Sequence, residues 1–214
     1  MLVKPAFERL SPERKKKLID TAMDLYFEMP FEEITIRILV DRLGINMNTF
    51  YRYFETKDDL FLYIFKGIME KAMKNIDPAK ILDGFQYMTG EVLDNREERF
   101  PEKLPARVLH RVYFELQIEL RALYREALLL KQKAGLIRKE ADLDLLAYMY
   151  VTTEYNLFMY WREKRPGQTV VDSHGNVDPE WYKMKEYFYY DFFRYGISGM
   201  KPESKLIGHY NENL

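Results

Sequence analysis

The chain has 214 residues, 47% hydrophobic and 31% charged, and its 33 basic and 34 acidic side chains leave a formal net charge of −1. That is enough apolar material for the core of one large or two small domains, while the near-neutral balance excludes a generally basic nucleic-acid binder, so any nucleic-acid site has to be a local patch. With no cysteine, disulfides, cysteine-based zinc sites and thiol nucleophiles are excluded.

The opening MLVKPAFERL lacks the apolar stretch of a signal peptide. The most apolar late segment, 145–161, is too short for a membrane span and is broken by Glu154. These features predict a cytoplasmic protein with no membrane partner.

Apolar residues recur at spacings of three and four almost throughout, which predicts an all-α fold. Ser11-Pro12-Glu13 opens the first helix, with serine as cap and proline in the first turn. Leu18, Ile19, Ala22, Met23, Leu25 and Tyr26 form its stripe, and Met29-Pro30 ends it. Thr35 caps a short helix over 36–43, Gly44 supplies a left-handed turn, and Asn46 caps a third helix that closes at Phe54-Glu55. Thr56 to Asp59 starts a longer helix, with acids in its first turn, running to about Asp77-Pro78. A fifth helix is expected to about Glu98. The stretch 106–133 is long enough for two helices and is closed by Gly135. A helix over 142–163, a polar loop over 168–177 and a last helix opened by Asp178-Pro179 and ending near 196–199 complete about nine helices. The short helices come first, which predicts a three-helix head over residues 1–56 and a larger helical body over residues 57–214.

Helix, glycine turn and helix, as in ITIRILVDRLGINMNTFYRYF, is the layout of a helix-turn-helix, whose second helix enters the DNA major groove. On a helical wheel Phe50 and Phe54 face inward, with Leu39, Leu43 and Ile45 as partners. Met47, Asn48, Thr49, Arg52 and Tyr53 are left outside or at the helix start. Asn48 can pair with an adenine edge, Thr49 can meet a base or a thymine methyl, and Met47 offers apolar contact. Arg52 can reach guanine or phosphate, and the hydroxyls of Tyr51 and Tyr53 can donate to phosphate. Arg37 and Lys57 can clamp the backbone on either side. The first 57 residues hold ten basic and nine acidic side chains, so head charge adds little to this reading.

The stretch 14–60 resembles the DNA-binding domain of TetR-family transcriptional regulators. Thr35, Arg37, Gly44, Thr49, Tyr51, Tyr53, Phe54 and Lys57 fall on the family's pattern with its spacing kept. Ile38, Val40 and Asn46 depart from it, and Met47-Asn48 stands where glycine or proline is common, so the operator cannot be copied from a relative. The resemblance implies DNA contacts at Thr35, Arg37, Tyr51, Tyr53 and Lys57, a dimer built on the last two long helices, and an inducer enclosed by the middle helices.

Nine of the fifteen residues over 181–195 are aromatic, more than one core face can bury. Large apolar surfaces mark interfaces, so Tyr148, Phe158, Trp161, Tyr182, Tyr189, Phe192 and Phe193 are the expected homodimer face. Phe85, Met88, His110, Tyr113, Phe114, Gln117, Tyr124 and Tyr155 mix aromatic, methionine and polar groups in the manner of a pocket for a small apolar or aromatic effector. The three histidines lack metal-ligand spacing, and no nucleophile elbow, phosphate loop or HExxH pair is present. The expectation is a ligand-responsive dimeric repressor that binds an operator in double-stranded DNA, without cofactor, metal or catalytic residues. The alternatives are a helical enzyme or a helical scaffold carrying a similar head.

Overall fold

The computed structural model describes residues 3–79, 81–82, 93–170 and 177–186. Nine α-helices and no β-strand are found among them. The fold is all-α, with a helix-turn-helix head and a helical body. By contacts, the described residues up to 75 together with 93–117 form one compact unit, and the remaining described residues form a second.

The first unit opens with a turn of helix that the sequence pattern did not reveal, α1 (Pro5–Glu8). Helix α2 (Pro12–Glu28) follows, with the Arg14 N–H directed at the Ser11 hydroxyl, and buries Leu18, Ala22, Met23, Leu25 and Tyr26. Met29 turns extended before Pro30, as a residue preceding proline prefers. After a 3-10 turn at Phe31–Glu33, α3 (Ile36–Leu43) starts under the Thr35 cap and ends at Gly44, whose φ of 65° favours glycine. Helix α4 (Met47–Tyr53) starts at Asn46, whose side-chain oxygen accepts the Thr49 N–H at 2.8 Å. Helix α5 (Lys57–Asn75) begins with a reciprocal cap: Thr56 donates N–H and hydroxyl to Asp59, and its hydroxyl accepts the Asp59 N–H.

The core of this unit is aromatic. Tyr26 stands 4.6 Å from Phe100 and 5.4 Å from Phe61, and Phe31 stands 5.1 Å from Phe61, centroid to centroid. Tyr26 also donates its buried hydroxyl to the Phe100 carbonyl at 2.6 Å. Phe100 follows α6 (Asn95–Arg99), a short helix held by an Asp94–Glu97 capping box. The helix expected up to about Glu98 therefore does not pass through Asp94; its earlier part lies largely outside the described residues.

Helix α7 (Ala106–Lys133) is a single 28-residue helix rather than two. Its first turns reach back to the head by charge. Arg107 donates to Asp58 and to Glu32, and Arg111 donates to Asp59 at 2.7 Å.

The second unit holds the rest of α7 and two further helices. Helix α8 (Leu143–Lys164) is capped by Asp142, and α9 (Pro179–Glu186) is described up to residue 186. Tyr124 stacks on Tyr150 at 5.0 Å, and Trp161 meets Trp181 edge-on at 5.6 Å. The expected end of the last helix, and 171–176 of the polar loop, lie outside the described residues.

Burial pushes the Asp59 carboxyl up, but hydrogen bonds from Thr56 and Arg111 and the Arg111 charge outweigh it, and the group ends below its ordinary value. A carboxyl lowered by folding contributes stability above its unfolded pKa and loses it as pH falls through the folded value. Thermal unfolding should therefore show a loss of stability below the ordinary carboxylate range. Asp59→Asn should cost about 1–3 kcal/mol at neutral pH, by leaving Thr56 and Arg111 poorly matched, and should make the acid loss smaller. An acid loss of the same size in the variant would show that Asp59 is not its source.

Candidate nucleic-acid interface

Helix α4 divides by face. Phe50 and Phe54 are both 0% exposed, and their ring centroids lie 5.7 Å apart. Leu39 of α3 is buried beneath the same turn, while Leu43 and Ile45 are half-buried. With these side chains inward, Met47 and Tyr51 are left 41% and 43% exposed, and Asn48 and Arg52 are exposed as well. Thr49 and Tyr53 are half-buried. Thr35 and Arg37, at the start of α3, are exposed. Thr35 spends an oxygen lone pair on its cap and keeps a hydroxyl that can donate.

Among the described residues Arg37 and Arg52 have no acidic partner. Two other cations of the head are neutralised: Arg42 grips Glu28 through two hydrogen bonds at 2.9 and 2.7 Å, and Lys16 pairs with Asp20 at 2.6 Å.

Lys57 has a different environment from Arg37. Its ammonium donates to the carbonyls of Phe31 at 2.8 Å and Ile34 at 2.7 Å, and it lies 4.5 Å from the centre of the Phe31 ring. Burial lowers its pKa, although nearby Glu32 and Asp58 oppose the shift. Two of its three donors thus tie the start of α5 to the turn before α3.

The residues expected to line a pocket fall into three groups. Phe85 and Met88 lie outside the described residues. In the first unit, His110 and Phe114 are exposed on α7, while Tyr113 and Gln117 are half-buried. In the second unit, Tyr124 is 3% exposed and Tyr155 is half-buried. A polar pair that the sequence pattern did not single out lies near Tyr124: Lys185 donates to Glu154 at 2.6 Å. Burial raises the Tyr124 hydroxyl well above its ordinary pKa, and the Glu154 charge adds to that. Burial lowers the Lys185 pKa, with Glu154 opposing it.

Of the residues expected at a dimer face, Tyr148 and Tyr182 are exposed. Phe158 and Trp161 instead pack against Trp181 inside the second unit, because they share the side of α8 that carries Ala147, Tyr150 and Val151. Tyr189, Phe192 and Phe193 lie outside the described residues. The opposite side of α8 is mixed: it exposes Leu145, Tyr148, Met149 and Tyr160 among polar residues such as Asn156 and Glu163.

Residues 18–64 match the sequence profile of bacterial regulatory proteins of the tetR family. Over 169 residues the chain is 28% identical to the Uncharacterized HTH-type transcriptional regulator YerO of Bacillus subtilis (strain 168), covering 69% of this chain and 57% of that protein. The chain thus spans little more than half the length of this curated relative. A TetR family transcriptional regulator from Chloroflexus aurantiacus J-10-FL aligns with a TM-score of 0.40 and 20% identity, over 77% of this chain and 82% of that one. The MbdR regulator from Azoarcus sp. CIB aligns with a TM-score of 0.35 and 16% identity, over 73% of this chain and 90% of that one.

The geometry separates structural cations from exposed ones. Lys57→Met should lower stability by about 1–3 kcal/mol, since two carbonyls lose a charged donor. Arg37→Ala and Arg52→Ala should stay within about 0.5 kcal/mol of the parent. Chemical denaturation of the three variants checks the ranking, and equal losses would refute it.

Proposed function

We propose that the chain is a helix-turn-helix transcriptional regulator of the TetR family, a ligand-responsive repressor acting as a homodimer on a near-palindromic operator, a reading supported by the match of residues 18–64 to that family's profile. Residues 1–56 read the DNA, and residues 57–214 take the effector and dimerise. The observation that carries the DNA reading is the division of α4, which buries Phe50 and Phe54 completely and leaves Met47, Asn48, Tyr51 and Arg52 outward, while Arg37 at the start of α3 is exposed as well. Asn48, Thr49 and Met47 meet base edges, Arg52 a guanine or a phosphate, and Thr35, Arg37, Tyr51, Tyr53 and the remaining donor of Lys57 hold phosphates.

The exposed Leu145, Tyr148, Met149 and Tyr160 of α8, with Tyr182 of α9, support the dimer. Two heads related by a two-fold axis then read successive major grooves. The aromatic interior of the second unit, with Tyr124 and the Glu154–Lys185 pair, supports an effector with an apolar or aromatic body. Such an effector lowers DNA affinity by binding better to the state whose heads mismatch the half-sites.

Selection from random DNA should enrich a two-fold symmetric site. Asn48→Ala should lose about 1–3 kcal/mol of preference at one base position per half-site, while Tyr51→Phe should weaken all sequences alike. No enriched symmetric site, or an unchanged preference in Asn48→Ala, would refute the reading of α4. Sedimentation should give a dimer for the parent chain and a monomer for Tyr148→Glu combined with Tyr160→Glu. A parent chain that sediments as a monomer would remove the dimer.

A further inference from the structure

The residues before α2 are built into the head. Val3 is 5% exposed and Phe7 is 0% exposed. Phe7 meets the rings of Tyr53 at 5.8 Å, Phe54 at 4.9 Å and Tyr63 at 5.1 Å, at the closing end of α4. This anchors Lys4 beside that end. The Lys4 backbone N–H donates to the Tyr53 carbonyl at 2.9 Å, and its ammonium donates to the Tyr51 carbonyl at 2.9 Å. The last carbonyls of a helix lack partners within it and carry a partial negative charge, so a cation is held well there.

Lys4 has no carboxylate partner among the described residues. Lys71, Arg96, Arg107 and Arg111 of the same unit each pair with an acid. One ammonium donor rests on Tyr51 and two remain. Lys4 is half-buried and so keeps a route to solvent, next to a residue whose ring is exposed on the reading side.

We propose that Lys4 is a further DNA contact of this head, an ammonium anchored on the Tyr51 carbonyl that gives its remaining donors to a phosphate beside the end of α4. The inference rests on α4 being the DNA-reading helix. A point charge at the helix end serves the backbone rather than a base edge, so it adds affinity without adding sequence preference.

The test uses the full chain and the DNA site that the parent chain itself enriches, with an unrelated duplex as reference. Lys4→Met keeps the backbone bond to Tyr53 and the length of the side chain but removes the charge. It should weaken both duplexes by the same factor, on the order of three- to tenfold, and lower the slope of log affinity against log salt by about one. Lys4→Arg should restore both quantities. Weaker binding of Lys4→Met with an unchanged salt slope would make Lys4 a helix cap only, and a loss confined to the enriched site would make it a base reader; either result overturns the proposal. A parent chain that enriches no site overturns the reading of α4 itself, and that outcome is visible before any Lys4 variant is made.

Discussion

Helix α4 is seven residues long, too short to persist by its own hydrogen bonds. What holds it is the burial of two rings one helical turn apart. Full burial of a side chain the size of Phe50 or Phe54 stabilises by about 1.5–3 kcal/mol, and the Asn46 cap and the bonds from Lys4 secure the two ends. Everything facing outward on α4 depends on this anchoring. Asn48, Tyr51 and Arg52 take almost no part in the packing, so they can be chosen for what they touch. Buried anchors and exposed side chains occupy opposite sides of two helical turns.

The same separation appears in the charges. The first 57 residues hold ten basic and nine acidic groups, which looks neutral. The acids are not spread evenly over the surface. Asp24 pairs with Arg96, Glu32 and Asp58 with Arg107, and Asp59 with Arg111, so carboxylates from α2 to α5 are consumed by cations that arrive later in the chain. Each partly exposed pair stabilises little, about 0–1 kcal/mol. Their larger effect is to remove negative potential from the head while Lys4, Arg37 and Arg52 have no acidic partner among the described residues. A net-charge count over the first 57 residues cannot register this: it includes Asp24 and Glu32 but not their cations at 96 and 107, and it omits the Asp58 and Asp59 pairs altogether. The bonds from Arg107 and Arg111, with the Tyr26–Phe100 hydrogen bond, also fix the head to the start of α7.

Local signals were legible in the sequence. The caps at Ser11, Thr35 and Asn46, the turn at Gly44 and the inward pair Phe50 and Phe54 all stand where spacing placed them. The features that were not legible have distant or backbone partners. Lys4-Pro5-Ala6-Phe7 shows no periodicity, and its partners at Tyr51 and Tyr53 lie nearly fifty residues away. The position of Lys57 in the motif matches a phosphate contact, yet two of its donors go to carbonyls, which residue identity does not reveal. Helix α7 offered no internal glycine or proline to mark a break, and it has none.

Helix α8 explains why the body was harder to read than the head. Polarity assigns faces only when one face is polar. Here Tyr150, Phe158 and Trp161 lie on the buried side, and Leu145, Tyr148, Met149 and Tyr160 lie on the exposed one, so aromatic content alone could not tell Trp161 from Tyr160. The one acid toward the inner side, Glu154, is the informative residue. A carboxylate there is costly unless paired, and Lys185 of α9 pairs with it. Removing either partner would leave the other poorly solvated, whereas replacing both with apolar groups could be nearly neutral. The bond joins α8 to α9 directly, and with the Trp161–Trp181 contact it holds α9 against the side of α8 opposite Leu145, Tyr148, Met149 and Tyr160.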